Sequence, residues 1–101
     1  NVLSLSVETG GAGGAGPYAA AKGALRVLTR TLAAAEAPHG ITANVVAPGV
    51  IENSIAKPVE EIPAGRLGLV QEVSNSVLFL VSREADYVTG QVIEVAGGWN
   101  L

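Results

Sequence analysis

Residues 18–49 read YAAAKGALRVLTRTLAAAEAPHGITANVVAPG, and this stretch decides the fold class. Its first part is rich in Ala, Leu, Arg and Lys, which are strong helix formers, and it predicts a helix from Tyr18 to Ala37. Pro38 and Gly40 end that helix. The β-branched run that follows predicts a short strand over Ile41–Val46.

The flanking segments predict the remaining elements. Asn1–Val7 is short and apolar and predicts a buried strand, and Gln91–Val95 predicts another. Apolar residues at helical spacing predict a second helix over Val70–Ser82, whereas 52–68 is predicted to be a loop with one helical turn. The resulting β-α-β-α-β order predicts an α/β fold with about three parallel strands joined by right-handed crossovers.

Composition excludes several function classes. The chain has 101 residues, of which 49% are hydrophobic and 15% charged, which excludes intrinsic disorder. A net charge of −3 argues against a nucleic-acid partner, and the absence of cysteine removes disulfides and thiolate metal sites. The longest apolar runs are far shorter than the roughly 20 residues of a membrane span, so no membrane partner is expected.

Tyr18 and Lys22 are the first candidates for chemistry. They are four residues apart on the predicted helix and therefore share one face. A phenol has a reference pKa of about 10, and a neighbouring ammonium stabilises the phenolate, which makes a usable proton donor. A hydroxyl from Ser4 or Ser6 could hold a carbonyl oxygen beside the phenol. The simpler alternative is a surface Tyr and Lys on an alanine-rich helix.

Four motifs occur in a characteristic order, namely YAAAKGAL at 18–25, GITANVVAPGVIE at 40–52, IPAGRLG at 62–68 and YVTGQVIEVAGG at 87–98. This series strongly resembles the C-terminal part of the short-chain dehydrogenase/reductase family, in particular its 3-oxoacyl-carrier-protein reductase-like members. The resemblance implies that residues 1–101 form the C-terminal portion of a Rossmann-like, doubly wound parallel sheet. The N-terminal dinucleotide-binding half would then be absent, and a chain that begins at Asn1 is expected to be a fragment or a processed product.

The same resemblance implies an NAD(P)-dependent oxidoreductase that transfers a hydride between a nicotinamide and a small carbonyl or secondary alcohol, with NAD or NADP as cofactor and no metal. Tyr18 resembles the family's acid/base, which also contacts the cofactor. Lys22 resembles the residue that tunes this tyrosine and binds the nicotinamide ribose. A cofactor-binding loop is implied by four further positions: Pro48, Gly49, Ile51 and Asn53.

Two of these assignments depart from the family pattern. The family's usual serine-to-tyrosine separation lies between those of Ser4 and Ser6, and alternation along a strand would point both serines the same way. Ser4 is favoured because residues 1–4 resemble the family's Asn-Val-x-Ser strand end. Asn53 occupies the place of a common threonine, and the segment from 54 to 61 is shorter than the family's substrate lid.

Two other functions remain open at this stage. The run from Gly10 to Gly16 satisfies a phosphate-binding pattern between a strand and a helix, but we interpret it as a loop beside the substrate site. The chain could also be a truncated, non-catalytic remnant, or a dimerisation module that uses the helix over 18–37. The absence of cysteine fits a reducing, cytoplasmic location, and the resemblance implies a homo-oligomer, a dimer or tetramer, for the intact protein.

The first predicted strand would leave a sheet edge open if the upstream half is absent. Such an edge favours association with another chain. We therefore expect the chain alone to be marginally stable and to associate or partly unfold.

Overall fold

A computed structural model describes residues 1–8, 10, 15–55 and 59–99. It contains helix α1 (Gly16–Glu36), strand β1 (Val45–Pro48), helix α2 (Val70–Leu80) and strand β2 (Val92–Val95). Short 3-10 helices occupy Leu5–Val7, Ala37–His39, Val59–Glu61 and Arg83–Ala85. Both predicted helices and the single turn in the long loop are thus confirmed. No helix in these described ranges has the length and apolar character that crossing a bilayer requires.

The two strands form a parallel sheet, which confirms the predicted α/β class. Their register runs from Val45 opposite Val92 to Pro48 opposite Val95. β1 begins four residues later than Ile41, where the sequence predicted it. The reason is that the Asn44 side chain bonds the backbone of the opposite segment, accepting from the Gln91 N–H at 3.0 Å and donating to the Val88 carbonyl.

The first segment is a single bridge and not the full strand predicted over residues 1–7. Val2 forms an isolated parallel bridge with Val46. The Leu3 N–H donates to the Val46 carbonyl at 2.8 Å, and the Val46 N–H donates to the Asn1 carbonyl at 3.0 Å. Strand β1 therefore lies between this segment and β2. The extended conformation ends at Ser4, whose side chain accepts the Ser6 N–H and begins the 3-10 helix. Side-chain capping of this kind competes with strand pairing.

The core lies around β1, which is buried at Val45, Val46 and Ala47. Burial of consecutive residues means that both faces of the strand are covered, as expected for a parallel sheet. Helix α1 packs through small side chains, and its buried Thr29 has its hydroxyl satisfied twice. It donates to the Leu25 carbonyl and accepts from the Asn1 amide, both at 2.7 Å.

Gly49 follows β1 where two backbone segments come very close together. A Cβ built on Gly49 would lie 2.8 Å from the Ala96 Cβ and 3.0 Å from the Ala96 Cα. The first distance is shorter than real Cβ atoms show and the second is tighter than nine in ten real contacts, and the backbone of Ala96 cannot move aside like a side-chain tip. Gly49 is therefore required for packing, whatever it does in the site.

We expect Gly49→Ala to lower the free energy of unfolding by about 1–3 kcal/mol, because the added methyl overpacks this contact. The matched control is Gly23→Ala in the interior of α1, where a Cβ would meet the Val7 Cγ1 at an ordinary 3.7 Å. That change should raise stability by about 0.5–1 kcal/mol. Denaturant unfolding measures both values, and equal effects of the two substitutions would contradict the packing assignment.

Candidate active site

A cavity of about 360 Å³ opens beside the carboxyl end of β1. The carboxyl ends of parallel strands are where open α/β sheets bind ligands, and the volume is within the range of small-molecule sites. Its wall contains six of the seven residues that the sequence singled out: Ser4, Tyr18, Pro48, Gly49, Ile51 and Asn53. Residues from three separate parts of the chain therefore converge on one space.

Tyr18 lies in the first turn of α1, which Pro17 helps to start. Proline suits this position because its fixed φ is already helical and its missing N–H has no helical partner to lose. The Tyr18 side chain is 50% exposed, so its phenol is accessible from the cavity. The helix start thus fixes the tyrosine backbone while leaving its hydroxyl open to a ligand.

Lys22 lies one turn further along α1, on the same face as Tyr18. Its Nζ is 5.7 Å from the centroid of the Tyr18 ring and donates a hydrogen bond of 3.0 Å to the Val2 carbonyl. The ammonium is therefore held between the first segment and the phenol ring. It has three donors, and the bond to Val2 uses one of them. Lys22 does not line the cavity, unlike the other six predicted site residues.

Ser4 and Ser6 take different roles in the structure. Ser4 lies in the cavity wall with Tyr18, whereas Ser6 lies in the 3-10 helix and bonds to Ser4. Their hydroxyl oxygens lie 3.0 Å apart in a hydrogen bond, although residues 5–7 form a 3-10 helix, to which the alternation of a strand does not apply. The structure thus places the favoured serine, Ser4, in the cavity.

The loop after β1 is held in shape by its own hydrogen bonds. The Ile51 N–H donates to the Ser54 Oγ at 3.0 Å, and the Ser54 N–H donates to the Ile51 carbonyl at 2.8 Å. Ile51 is buried and bridges Gly68, whereas Asn53 is exposed at the cavity. Glu52 accepts the first N–H of α2, from Val70, at 3.1 Å. One loop therefore positions both the cavity wall and the start of α2.

Helix α2 supplies a part of the cavity wall that the sequence analysis missed. Val70, Val73 and Ser74 line it together with Ser54. The spacing 70, 73, 74 marks one face of a helix, and from the sequence this periodicity predicts only the helix itself. The signal was present, but nothing in the periodicity distinguishes a face that covers a core from a face that lines a cavity.

Arg66 and Glu72 fix the N-terminus of α2. Two guanidinium nitrogens of Arg66 donate to the Glu72 carboxylate at 2.9 and 2.6 Å, and the same carboxylate accepts the Leu69 N–H at 2.8 Å. Hydrogen bonding from Arg66, followed by that from the Leu69 backbone, lowers the pKa of Glu72 to about 2. Arg66 therefore fixes the segment before α2 through hydrogen bonds to Glu72 and to the Leu67 carbonyl.

We expect the Glu72 cap to make stability depend on acidity. The pKa of Glu72 in the folded chain is about 2, below the ordinary 4.5. The ionised carboxylate therefore contributes fully to the free energy of unfolding above pH 4.5, and this contribution is lost as the pH falls through 2. Glu72→Gln should lower the melting temperature at neutral pH and flatten the decline between these two pH values. Melting curves across this range test this, with the exposed Glu60→Gln as control, and an unchanged slope would contradict the prediction.

A larger cavity of about 460 Å³ lies on another part of the chain. It is bounded by Val2 and Val46 of the sheet and by Val77 and Leu80 of α2, with Asp86 at its margin. It lacks the combination of a phenol and a neighbouring ammonium, so we assign the chemistry to the smaller cavity. Most of the glycine run that suggested phosphate binding, namely Thr9 and residues 11–14, lies outside the described residues.

Comparisons with known proteins identify the family of this chain. The family model described as enoyl-(acyl carrier protein) reductase matches residues 1–100. The 3-oxoacyl-acyl-carrier-protein reductase FabG of Escherichia coli is 46% identical over 101 residues, covering 91% of this chain and 41% of that protein. The chain belongs to the short-chain dehydrogenase/reductase family. The uncharacterized oxidoreductase YmfI of Bacillus subtilis is 41% identical over 92 residues, covering 82% of this chain and 38% of YmfI.

A solved structure resembles the whole of this short-chain dehydrogenase/reductase chain. It is a blue fluorescent protein from a metagenomic library in complex with NADPH, with a TM-score of 0.92 and 35% sequence identity. The match covers 100% of this chain and 44% of that protein. The chain therefore spans about two fifths of the length of the relatives that it matches.

Proposed function

We propose that this chain provides the proton-transfer half of an NAD(P)-dependent reductase active site that acts on a small carbonyl compound or the corresponding secondary alcohol. The observation that carries the proposal is the convergence of the Ser4 hydroxyl, the Tyr18 phenol and the loop at Pro48 on one cavity. FabG is named as a reductase of 3-oxoacyl thioesters on acyl carrier protein, and the structural relative was solved with NADPH. A 3-oxoacyl thioester is therefore the first substrate to test.

The residues present fit a nicotinamide at the Pro48 side of the cavity. Ile51 and Pro48 offer an apolar surface for a planar ring, and Asn53 can donate and accept hydrogen bonds at its edge. Close packing of Gly49 against Ala96 keeps this surface rigid. A bound reduced nicotinamide would supply the hydride for the substrate carbon.

Tyr18 delivers the proton in this proposal. As the carbonyl carbon gains the hydride, its oxygen gains negative charge and takes the proton from the Tyr18 hydroxyl, so the carbonyl becomes an alcohol and the phenol a phenolate. Solvent protons then restore the phenol. Ser4 donates a hydrogen bond to the same oxygen and orients it, since Ser4 and Tyr18 share the cavity wall. A positioned acid of this kind contributes about 10²–10⁴-fold to a rate.

Lys22 stabilises the phenolate that the reaction leaves behind. Its ammonium is 5.7 Å from the Tyr18 ring centroid and is anchored on the Val2 carbonyl. The anchor also fixes the lysine side chain, so the charge does not have to be ordered when the substrate binds. The remaining ammonium donors are available for a ribose hydroxyl.

The direct test uses a FabG chimera, in which this chain replaces the segment of E. coli FabG that it matches. We expect the chimera to oxidise NADPH in the presence of a 3-oxoacyl thioester. Cofactor binding, followed by nucleotide fluorescence, is measured in parallel so that folding and chemistry are judged separately. A chimera that binds NADPH but reduces neither the thioester nor simpler ketones would contradict the proposal.

The 101-residue chain provides a second test that needs no grafted segment. Ketone ligands that are titrated into the isotopically labelled chain should shift the resonances of Tyr18 and Ser4 before those of Asp86, which lines the other cavity. Shifts that are confined to Asp86 and its neighbours would overturn the assignment of the site.

A further inference from the structure

We propose that Ser6 is a positioning residue that orients the Ser4 hydroxyl towards the substrate oxygen. This inference rests on the function proposed above and adds a residue to it. The observation is a pair of hydrogen bonds with a common acceptor. The Ser6 N–H donates to the Ser4 Oγ at 3.2 Å, and the Ser6 hydroxyl donates to the same oxygen at 3.0 Å.

The consequence follows from the bonding capacity of a serine. A hydroxyl oxygen has two acceptor lone pairs and one O–H donor. The two donors of Ser6 occupy both lone pairs of Ser4, which leaves the O–H as its remaining hydrogen-bonding function. That proton points away from both donors, and the Ser4 side chain lines the cavity that Tyr18 also lines. Ser4 is thus set up to donate to a ligand oxygen.

The same two bonds also strengthen Ser4 as a donor. Hydrogen bonds in a chain polarise one another, so an oxygen that accepts two bonds has a more acidic proton. Donation to an oxygen that gains negative charge during the reaction benefits most from such polarisation, because hydrogen bonds to charged acceptors are stronger than neutral ones. Ser6 therefore acts on the rate more than on substrate binding.

The position of Ser6 is fixed by its neighbours in the 3-10 helix. Leu5 is buried at 2% exposure, and the Val7 Cγ1 packs against Gly23 of α1. Glu8 forms an ion pair with Arg26 and donates its N–H to the Leu5 carbonyl at 2.9 Å. With both flanks attached to the rest of the molecule, the Ser6 donors hold a constant position relative to Ser4.

A double-mutant cycle in the FabG chimera tests this role. We expect Ser6→Ala to lower kcat about five- to tenfold with little change in KM, and Ser6→Thr, which keeps both donors, to restore most of it. Ser4→Ala should cost more, and Ser4→Ala with Ser6→Ala should be no worse than Ser4→Ala alone. Ser76→Ala on α2, which removes a hydroxyl that donates to the Glu72 carbonyl at 3.2 Å away from Ser4, is the matched control.

The outcomes separate this inference from the proposed function. Additive losses in the double variant, or a Ser6→Ala variant with unchanged kcat, would overturn the role of Ser6 while leaving Tyr18 and Ser4 in place. An unchanged rate in Ser4→Ala would instead count against the proposed function. A measurement without turnover uses the FabG chimera, where Ser4→Ala should speed hydrogen exchange at the Ser6 amide. Unchanged exchange there would show that the bond does not exist.

Discussion

Tyr18→Phe should lower the turnover of the FabG chimera by about 10²–10⁴-fold, because it removes the hydroxyl that delivers the proton and leaves the ring in place. The Michaelis constant for the substrate and the affinity for NADPH should change little, since the phenyl ring still fills the same part of the cavity wall. Steady-state kinetics and cofactor titration measure these quantities on the same sample.

The chain contains a matched control for this substitution. Tyr87 is the second tyrosine, and it is fully exposed at 102% in the turn before β2. Tyr87→Phe removes the same atom from the same residue type and should leave turnover unchanged. Equal effects of the two substitutions, or a Tyr18→Phe variant that retains full activity, would remove Tyr18 from the proposed mechanism.

The isolated 101-residue chain should self-associate, with its weight-average mass rising about twofold or more over an accessible concentration range. Large apolar side chains are exposed on α2 and just after it, with Leu78 at 60% and Val81 at 75%. Val81 lines the 460 Å³ cavity together with Val2, and among the described residues Val2 lies at the edge of the sheet, bridging only Val46. An unpaired edge beside an apolar surface favours contact with another chain.

Paired substitutions locate this association. Leu78→Lys with Val81→Lys should shift the chain towards monomer in sedimentation velocity, while Ile55→Lys, at a side chain that is 105% exposed, should not. Val27→Lys with Leu28→Lys, two exposed positions of α1 away from this cavity, tests the alternative in which α1 is a dimerisation helix. Dissociation by the α1 pair alone would support that alternative, and a cooperative, concentration-independent melting transition from a monomer would contradict the expectation altogether.

Local sequence signals predicted the helices and the parallel strands because these depend on neighbouring residues. Pro17 and the alanine-rich run determine α1, and Pro38 with Gly40, whose φ is +73°, determines its end. The conformation of residues 1–7 was not predicted correctly, because strand pairing competes there with side-chain capping by Ser4. Tertiary contacts favour the 3-10 helix over the strand, namely the burial of Leu5 and the packing of Val7 on α1.

The sequence predicted the site residues that belong to recognisable motifs. It did not predict those that reach the cavity only through the folding of the chain. Tyr18 and the Pro48 loop stand out by spacing and order, and the structure brings them to one cavity. The sequence could not choose between Ser4 and Ser6, because the choice depends on the 3-10 helix over residues 5–7, which leaves Ser4 in the cavity wall. Val73 and Ser74 join the site because the loop at Glu52 caps α2, a contact between residues 18 apart in the chain.

The central claim is that the cavity at the end of β1 holds the reacting carbonyl. A crystal structure of the FabG chimera with NADP and an unreactive ketone analogue tests it most directly. The ketone oxygen should lie within hydrogen-bond distance, about 2.6–3.2 Å, of both the Tyr18 and the Ser4 hydroxyl, with the nicotinamide against Pro48. A ketone bound in the other cavity, beside Val77 and Asp86, with Tyr18 facing solvent, would contradict the account.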